Sequence, residues 1–410
     1  LNAVLPVEFS AVLAKGRSNY ISLRRLKGAR ERSGVLFSDD AQLRQLTRLR
    51  EWSQSTSDGS LSDLNFRPAP EVWDEVRSEH GNCLSRRCPT YDDCYFYRAR
   101  RRVWNADLSV GNRARFFADL ALRREGASVL PDYVVVVFDE AHQIESVAAD
   151  HLGLSVTNGQ INYILNRLYN DRQNKGLLLL HDLKDAQERV LRLRFLASNL
   201  FRKLREWHEQ QTGNGRVRQR LQLENPLTPQ LRSLSLDLRT HAATLRSDEQ
   251  KIEFTAAADR LDGLAAALDA WLRQSMSDSV YWAEVTGRKR QIVRLVCAPI
   301  DVGPVLRDEL FAQVDTVVLT SATLAVGESD FRFFRQRIGL SSCTELKLGS
   351  PFDYLQQVEL VLHPQLPDPA LAPAQFEQQA CDRIRQLVEQ TMGGVFVLFT
   401  SYRMLKNCAA

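Results

Sequence analysis

The sequence predicts an α/β protein built on a parallel sheet and interrupted by a long helical insertion. Three observations predict it. First, the runs Val134 to Phe138, Asp315 to Leu319 and Gly394 to Phe399 are apolar, and each ends in a polar motif. Strands of open parallel sheets read this way, with ligands bound at their C-terminal ends. Second, between the first two runs lie about 130 residues of helical periodicity. There Leu193, Leu196, Leu200, Leu204 and Trp207 share one stripe, and Leu261, Leu264, Leu268, Trp271 and Leu272 another. Third, 44% hydrophobic and 25% charged residues over 410 positions are globular proportions, long enough for two to four domains.

Taken in order, residues 1 to 24 read as the end of an α/β unit. Ala11-Val-Leu-Ala14 leads there into the basic turn Lys15-Gly-Arg-Ser-Asn-Tyr20. Residues 37 to 56 read as a helix, with Leu43, Leu46, Leu49 and Trp52 on one face. The stretch from Ser53 to Pro70 is rich in Ser, Asp, Gly and Pro and reads as loop. Residues 80 to 102 hold clustered cysteines and then a basic stretch. The run at 134 to 138 suits a strand buried on both faces. Residues 153 to 280 read as all-helical, broken at Gln211-Thr-Gly-Asn-Gly215 and Glu224-Asn-Pro226. The chain begins without Met and ends just after what reads as a strand entering a helix, so it is expected to be an internal excerpt of a longer protein.

Several classes are disfavoured at once. With 54 basic and 50 acidic side chains the net charge is +4, which permits a nucleic-acid partner without arguing for one. No apolar run approaches the ~20 residues of a membrane-spanning helix. The first residues do not form a signal peptide, so the seven cysteines are read in a reducing compartment, where clustered thiols are metal ligands first.

Asp139-Glu-Ala-His142 follows the first strand. Nucleotide hydrolysis needs a carboxylate at a strand end to hold the water shell of Mg²⁺ and a second one to polarise the attacking water. Asp139 and Glu140 are so placed; the plain alternative is that they cap the following helix. Thr320-Ser-Ala-Thr323 ends the second strand, where Ser321 and Thr323 can relay nucleotide state by hydrogen bonding or simply form a turn. The order of the two motifs is that of helicase motors.

Cys83, Cys88 and Cys94 fall within twelve residues, at spacing C-x₄-C-x₅-C. This is looser than zinc pairs and better suits an iron–sulfur cluster with a fourth ligand elsewhere; zinc with His80 is the runner-up. Cys297, Cys343, Cys381 and Cys408 read as scattered core or surface thiols. Around the cluster, Arg98, Arg100 and Arg101 interleave with Tyr95 and Tyr97, a pattern that can grip phosphates and stack bases of a single strand. The plain alternative is a solvated basic helix face, but Tyr95-Phe-Tyr97 is too broad for one face to bury.

These motifs together resemble the XPD-type iron–sulfur superfamily 2 DNA helicases, most closely their bacterial DinG/YoaA branch. The matching stretches are Lys15 to Tyr20, Asn82 to Cys94, Asp139 to His142, Thr320 to Leu324, Ser350-Pro-Phe-Asp353 and Gly394 to Ser401, in the family's order. The resemblance implies a RecA-like P-loop NTPase domain formed from residues 1–14, 107–152 and 281–349. An iron–sulfur domain at 15–106 and a helical arch at 153–280 would interrupt it, and a second RecA-like domain would start at 350–410. It implies ATP-driven 5′→3′ unwinding of DNA by a cytoplasmic, nucleoid-associated monomer working with replication and repair proteins. By position, Asp139 would serve Mg²⁺ and Glu140 activate water. His142 would link the ATP site to Ser321 and Thr323, and Thr400 and Ser401 would meet the DNA backbone.

Three departures from the family pattern stand out. The phosphate-binding Gly-Lys loop and the late arginine motif are absent from this chain, so it is expected not to hydrolyse ATP efficiently alone. Ser22 stands where the family has its first cluster cysteine, leaving three cysteines for a [4Fe-4S] cluster unless His80 or Cys297 comes close. Asn112-Arg-Ala114 replaces an Asn followed by two histidines. The rival reading is a non-enzymatic DNA-binding homologue that kept the fold and lost the motor. A zinc nuclease or structural zinc protein needs more histidines or carboxylates near the thiols than the sequence offers.

Overall fold

The computed structural model describes residues 6–37, 39–124, 128–211, 214–287, 291–327 and 330–409. Both chain ends and Thr212 and Gly213 of the expected break in the insertion lie outside them. The chain forms two compact units, Leu1–Glu345 and Leu346–Ala410.

The first unit opens with strand β1 (Ala11–Ala14) and, besides a short helix at Ser33–Leu36, four longer helices: α1 (Leu23–Glu31), α2 (Asp40–Ser55), α3 (Pro70–Val76) and α4 (Tyr95–Trp104). Their starts are written locally. The Asp39 carboxylate accepts the Ala41 N–H at 2.9 Å, and Pro70 opens α3 at a position that has no N–H to satisfy. Tyr20, Ile21, Leu26, Leu49, Val72, Trp73 and Phe96 form the buried cluster between these helices. Strand β2 (Leu108–Gly111) then pairs in parallel with β1, from Ala11 opposite Leu108 to Ala14 opposite Gly111. The Asp107 carboxylate accepts from the Ser10 N–H (2.9 Å) and hydroxyl (2.8 Å), closing the base of everything between.

Helix α5 (Arg113–Arg124), strand β3 (Val135–Phe138) and helix α6 (Ile144–Leu152) follow. Phe116, Phe117, Phe138, Ile144, Leu306 and Leu310 build a second buried cluster. The expectation that β3 is buried on both faces is corrected. Val136 and Phe138 face this cluster, but Val135 and Val137 are 54% and 62% exposed, because among the described residues nothing packs on the other face.

The third cluster holds strand β4 (Leu154–Thr157) and helices α7 (Asn158–Leu168), α8 (Lys184–Glu209), α9 (Leu227–Thr244) and α10 (Asp248–Arg273), then strands β5 (Ser279–Thr286) and β6 (Ile292–Pro299). The turn from β4 into α7 is a capping box: Gln160 donates its N–H to the Thr157 hydroxyl and accepts the Thr157 N–H. The predicted leucine stripes are its interior, with Leu193, Leu200, Leu204, Leu261, Leu268 and Trp271 all buried.

The insertion is not all-helical and does not end at residue 280. An antiparallel sheet in the order β4-β6-β5 caps the helices. Tyr281, Ala283, Val293 and Leu295 alternate inward from β5 and β6 into the same core. The Trp271 indole donates to the Val296 carbonyl at 2.8 Å and ties α10 to β6. Residues 281–299 therefore belong to the insertion's core. The helical stripe ends where a period-2 pattern begins, and only its burial partner tells which sheet it joins.

Strand β7 (Thr316–Leu319) pairs in parallel with β3, Val135 opposite Thr316 and Phe138 opposite Leu319, and helix α11 (Arg332–Ile338) packs below. The second unit holds helices α12 (Pro373–Gln390) and α13 (Tyr402–Ala409). The expected strand at residues 394–399 is not one: it pairs with no partner among the described residues, and Phe396 and Leu398 are 89% and 84% exposed. A strand needs a neighbouring ladder, and the described part of this unit has none. Cys381 and Cys408, read as unrelated thiols, are joined in a disulfide between α12 and α13.

The first and third clusters meet across ion pairs. Glu79 accepts from Arg25 (3.2 Å), Arg167 (3.5 Å) and Arg260. Arg32 reaches Glu253 through both terminal nitrogens, at 3.0 and 2.7 Å. Burial pushes the Glu79 carboxyl up, but the three guanidiniums outweigh it and hold it below the ordinary glutamate value. Glu79→Gln is expected to lower stability by about 3 kcal/mol, because three arginines lose their shared charge partner. A depressed carboxyl stabilises above its unfolded value and loses that contribution as pH falls through its folded one. The gap in urea midpoint between parent and variant should therefore be full at pH 7 and close below the free glutamate value of about 4.3. A gap that widens on acidification would contradict this assignment.

Candidate functional site

The parallel pairing of β3 and β7 sets two polar strand ends side by side. Thr320 donates its N–H to the Phe138 carbonyl (2.9 Å), and Ala141 donates to the Thr320 carbonyl (2.9 Å). Between these bonds Glu140 takes a left-handed conformation, φ +50°, which costs a side-chain-bearing residue about 1 kcal/mol. The turn aims its carboxylate across the gap. Glu140 Oε2 lies 3.1 Å from His142 Nδ1 and accepts from the Ser321 hydroxyl at 3.2 Å. His142 Nδ1 and Ser321 Oγ are 2.8 Å apart, which completes a triangle of three side chains from two strand ends. Thr323 sends its backbone N–H to Ser321 Oγ at 3.5 Å.

The described partner of the Asp139 carboxylate is the Glu140 N–H, at 3.0 Å. No three His, Cys, Asp or Glu side chains among the described residues converge on a metal position. Mg²⁺ at nucleotide sites is commonly held by one or two carboxylates with phosphates and water, so an exposed Asp139 suffices as the protein's share. The triangle leaves Glu140 Oε1 without a partner among the described residues and able to accept from a water.

Sequence reasoning missed what holds this turn. Arg113, at one of the departures from the family pattern, donates through Nη1 to the Asp139 carbonyl (2.7 Å) and through Nη2 to Gln143 Oε1 (2.6 Å). Its contribution is a positioning one: it ties the backbone at Asp139 to the Gln143 side chain across Glu140. The only available signal was a lone arginine at the start of α5, and nothing local links residue 113 to residue 139.

The cysteine loop lies on the first cluster. Cys83, Cys88 and Cys94 are half-buried, and Cys94 directly precedes α4. Burial raises the Cys94 thiol, and the neighbouring Cys83 and Cys88 raise it further. Burial also acts on Cys83, but the Ser85 N–H, the Arg17 guanidinium and the Tyr97 hydroxyl outweigh it and hold that thiol below its ordinary value. Arg17 stacks 3.9 Å from the Phe96 ring centroid, and its Nη1 is buried with no hydrogen-bond partner. An unpaired buried N–H beside thiols fits an anionic group held by those thiols.

The candidates weighed for the fourth ligand have other described partners or surroundings. The Ser22 hydroxyl accepts the Arg25 N–H as the cap of α1. Cys297 is buried in the β4-β6-β5 core and does not serve the loop. His80 lines a cavity with Glu79 and Arg260.

Helix α4 divides its aromatics. Tyr95 is buried and donates its hydroxyl to the Ser53 carbonyl at 2.6 Å, so the expectation that it meets a DNA base is corrected. Phe96 is buried as well, and Tyr97 is half-buried against Tyr91 with ring centroids 4.8 Å apart. Arg98 is paired with Asp93 at 2.7 Å. Arg100 and Arg101 line a cavity of about 640 Å³ with Arg86, Tyr91, Tyr97 and Trp104. Trp104, exposed at the end of α4, was not singled out in the sequence. Thr400 and Ser401 lie in the second unit, where the Ser401 hydroxyl accepts the Met404 N–H at the start of α13.

Arg113→Ala should free the turn. Hydrogen exchange of the amides of residues 140–143 is expected to speed up about fivefold, the equivalent of about 1 kcal/mol of lost hydrogen bonding. Unchanged exchange there would remove Arg113 from this role.

No family model matches the chain. Among curated proteins, it is 29% identical to "ATP-dependent DNA helicase YoaA" of Haemophilus influenzae, over 97% of this chain and 60% of that one. It is 29% identical to the protein of the same name in Escherichia coli, over 98% of this chain and 61% of that one. It is 23% identical to "3'-5' exonuclease DinG" of Bacillus subtilis, over 98% and 47%. The chain thus spans about three fifths of the length of the YoaA proteins that it matches. The resemblance read from the motifs holds over nearly the whole chain, which is DinG/YoaA-like.

Proposed function

We propose that the chain supplies the water-activating and strand-gripping parts of an ATP-dependent DNA helicase, working 5′→3′ by its resemblance. The observation that supports this best is the triangle of Glu140, His142 and Ser321. It joins two strand ends whose residues are 179 positions apart, as a site that must sense nucleotide and pass the signal on requires. Asp139 is the residue to hold Mg²⁺, which on binding would neutralise charge on the phosphates. Glu140 orients the attacking water by accepting its hydrogen bond at Oε1. Its other oxygen is held by Ser321 and His142, so a shift of either strand end moves the base. His142 and Ser321 are positioning residues in this scheme.

Cys83, Cys88 and Cys94 are the residues to hold an iron–sulfur cluster, and the orphaned Arg17 Nη1 is the donor to its anionic charge. A bound cluster would stiffen the loop that precedes α4. The face of Arg86, Arg101, Tyr97 and Trp104 is then the place for a DNA single strand. One observation favours a second reading, a DNA-binding homologue without a motor: Ser22 stands in the fourth ligand position and is committed to capping α1.

Two measurements test the proposal. In a protein that joins this chain to a phosphate-binding loop, Glu140→Gln is expected to keep ATP binding and to lose turnover by about a hundredfold or more. Turnover at the parent rate would remove Glu140 from catalysis. Anaerobically purified chain should contain iron and acid-labile sulfide in near-stoichiometric amounts, and Cys88→Ser should lose both. Zinc alone, or no metal, would make the motor-less homologue the better reading.

A further inference from the structure

The edge of the β4-β6-β5 sheet is covered by residues 215–217. Ala283 donates its N–H to the Gly215 carbonyl (2.9 Å), and Val217 donates to the Tyr281 carbonyl (2.7 Å). Arg216 sits opposite Trp282 in antiparallel register. Two features pin this register. Val217 is buried in the insertion's core. Gly215 has φ +76°, and a Cβ there would fall 2.1 Å from the Ala283 carbonyl oxygen, so only glycine fits.

The alternation then presents Arg216 and Arg218 outward on either side of buried Val217, and Arg220 follows past a bend at Gln219. Arg216, Arg218 and Arg220 are exposed, and none has an ion pair among the described residues. Arg172, Arg192 and Arg246 of the same unit also lack one, but they are scattered, whereas Arg216, Arg218 and Arg220 lie together beside one cavity. Arg216 and Arg218, two apart on extended backbone, are about 6.6 Å apart on one face, comparable with successive phosphates along a nucleic-acid strand.

The row is flanked by a cavity of about 580 Å³ lined by Trp207, Asn214, Gln219, Gln222 and the arginines. Trp207 is half-buried: it packs against the insertion's core and also lines this cavity. An indole beside unpaired guanidiniums and side-chain amides suits one unstacked base: the ring stacks on it, the amides meet its edge and the arginines hold its phosphates.

We infer that Arg216, Arg218, Arg220 and Trp207 form a binding site for single-stranded DNA on the insertion's sheet edge, separate from the α4 face. The inference rests on the reading that the chain acts on DNA. The occupant is a single strand because paired bases do not offer a face to Trp207.

The test is binding of fluorescent oligo(dT) to the full chain across a salt series. Arg218→Glu with Arg220→Glu changes two exposed side chains and is expected to leave the thermal melt unchanged. Affinity should fall about tenfold or more, and the salt slope should become shallower by about 1.4, two contacts at about 0.7 each. The Lys double variant should keep most of both. Trp207→Phe should remove part of the tryptophan quenching by oligo(dT). The inference is overturned if the Glu double variant binds like the parent; if Arg101→Ala weakens binding in the same series, the DNA reading survives without it. It is also overturned if duplex DNA competes as well as oligo(dT). No binding by the parent chain would overturn both readings.

Discussion

The parallel pairing of β3 with β7 is the constraint on which the rest of the first unit depends. Parallel neighbours cannot be joined by a tight turn, so the chain must leave the end of β3 and cross back to the start of β7 at the other end of the pair. Here it does so through the whole helical insertion. The insertion meets the condition by closing on itself at its base. Leu154, its first strand residue, lies opposite Cys297, near its last. Gly153 marks how close that closure is, since a Cβ there would fall 2.2 Å from the Cys297 carbonyl oxygen. With entry and exit side by side, the insertion holds a core of its own and leaves the strand register undisturbed.

The first insertion uses the same device with different chemistry. β1 and β2 are parallel neighbours, and Ser10 and Asp107 join the two ends of the intervening chain. What lies between has its own apolar cluster and meets the helical insertion through charge. The Glu79 carboxylate and its three arginines, with Arg32 and Glu253, make that contact sensitive to acid, where a packed apolar contact would not be. The Glu140 turn is thus mounted on a ladder of backbone hydrogen bonds, while the two inserted bodies meet through groups that can ionise.

Departures from the family pattern acquire physical meaning at this level. Arg113 reaches the backbone around Glu140 and supports a left-handed turn that is strained on its own. Ser22 caps a helix, which a cysteine does less well. Arg17 is stacked on Phe96 with one nitrogen unpaired, an arrangement that is costly unless something anionic sits beside it.

The sequence by itself determined what is encoded within a few residues. The strands ending in Asp139-Glu-Ala-His142 and Thr320-Ser-Ala-Thr323, the α2 helix, the leucine stripes and the cysteine loop are all legible from period and spacing. The tertiary structure decided everything that turns on a distant partner. It buried Tyr95 and left Tyr97 half-exposed, gave β5 and β6 to the insertion, and left residues 394–399 without a pairing partner among the described residues. It also brought Arg113 to Asp139 and set Arg216 and Arg218 on a sheet edge. The physical reason is that a period reports which side chains share a face, whereas pairing and burial depend on what the other end of a long chain brings to that face.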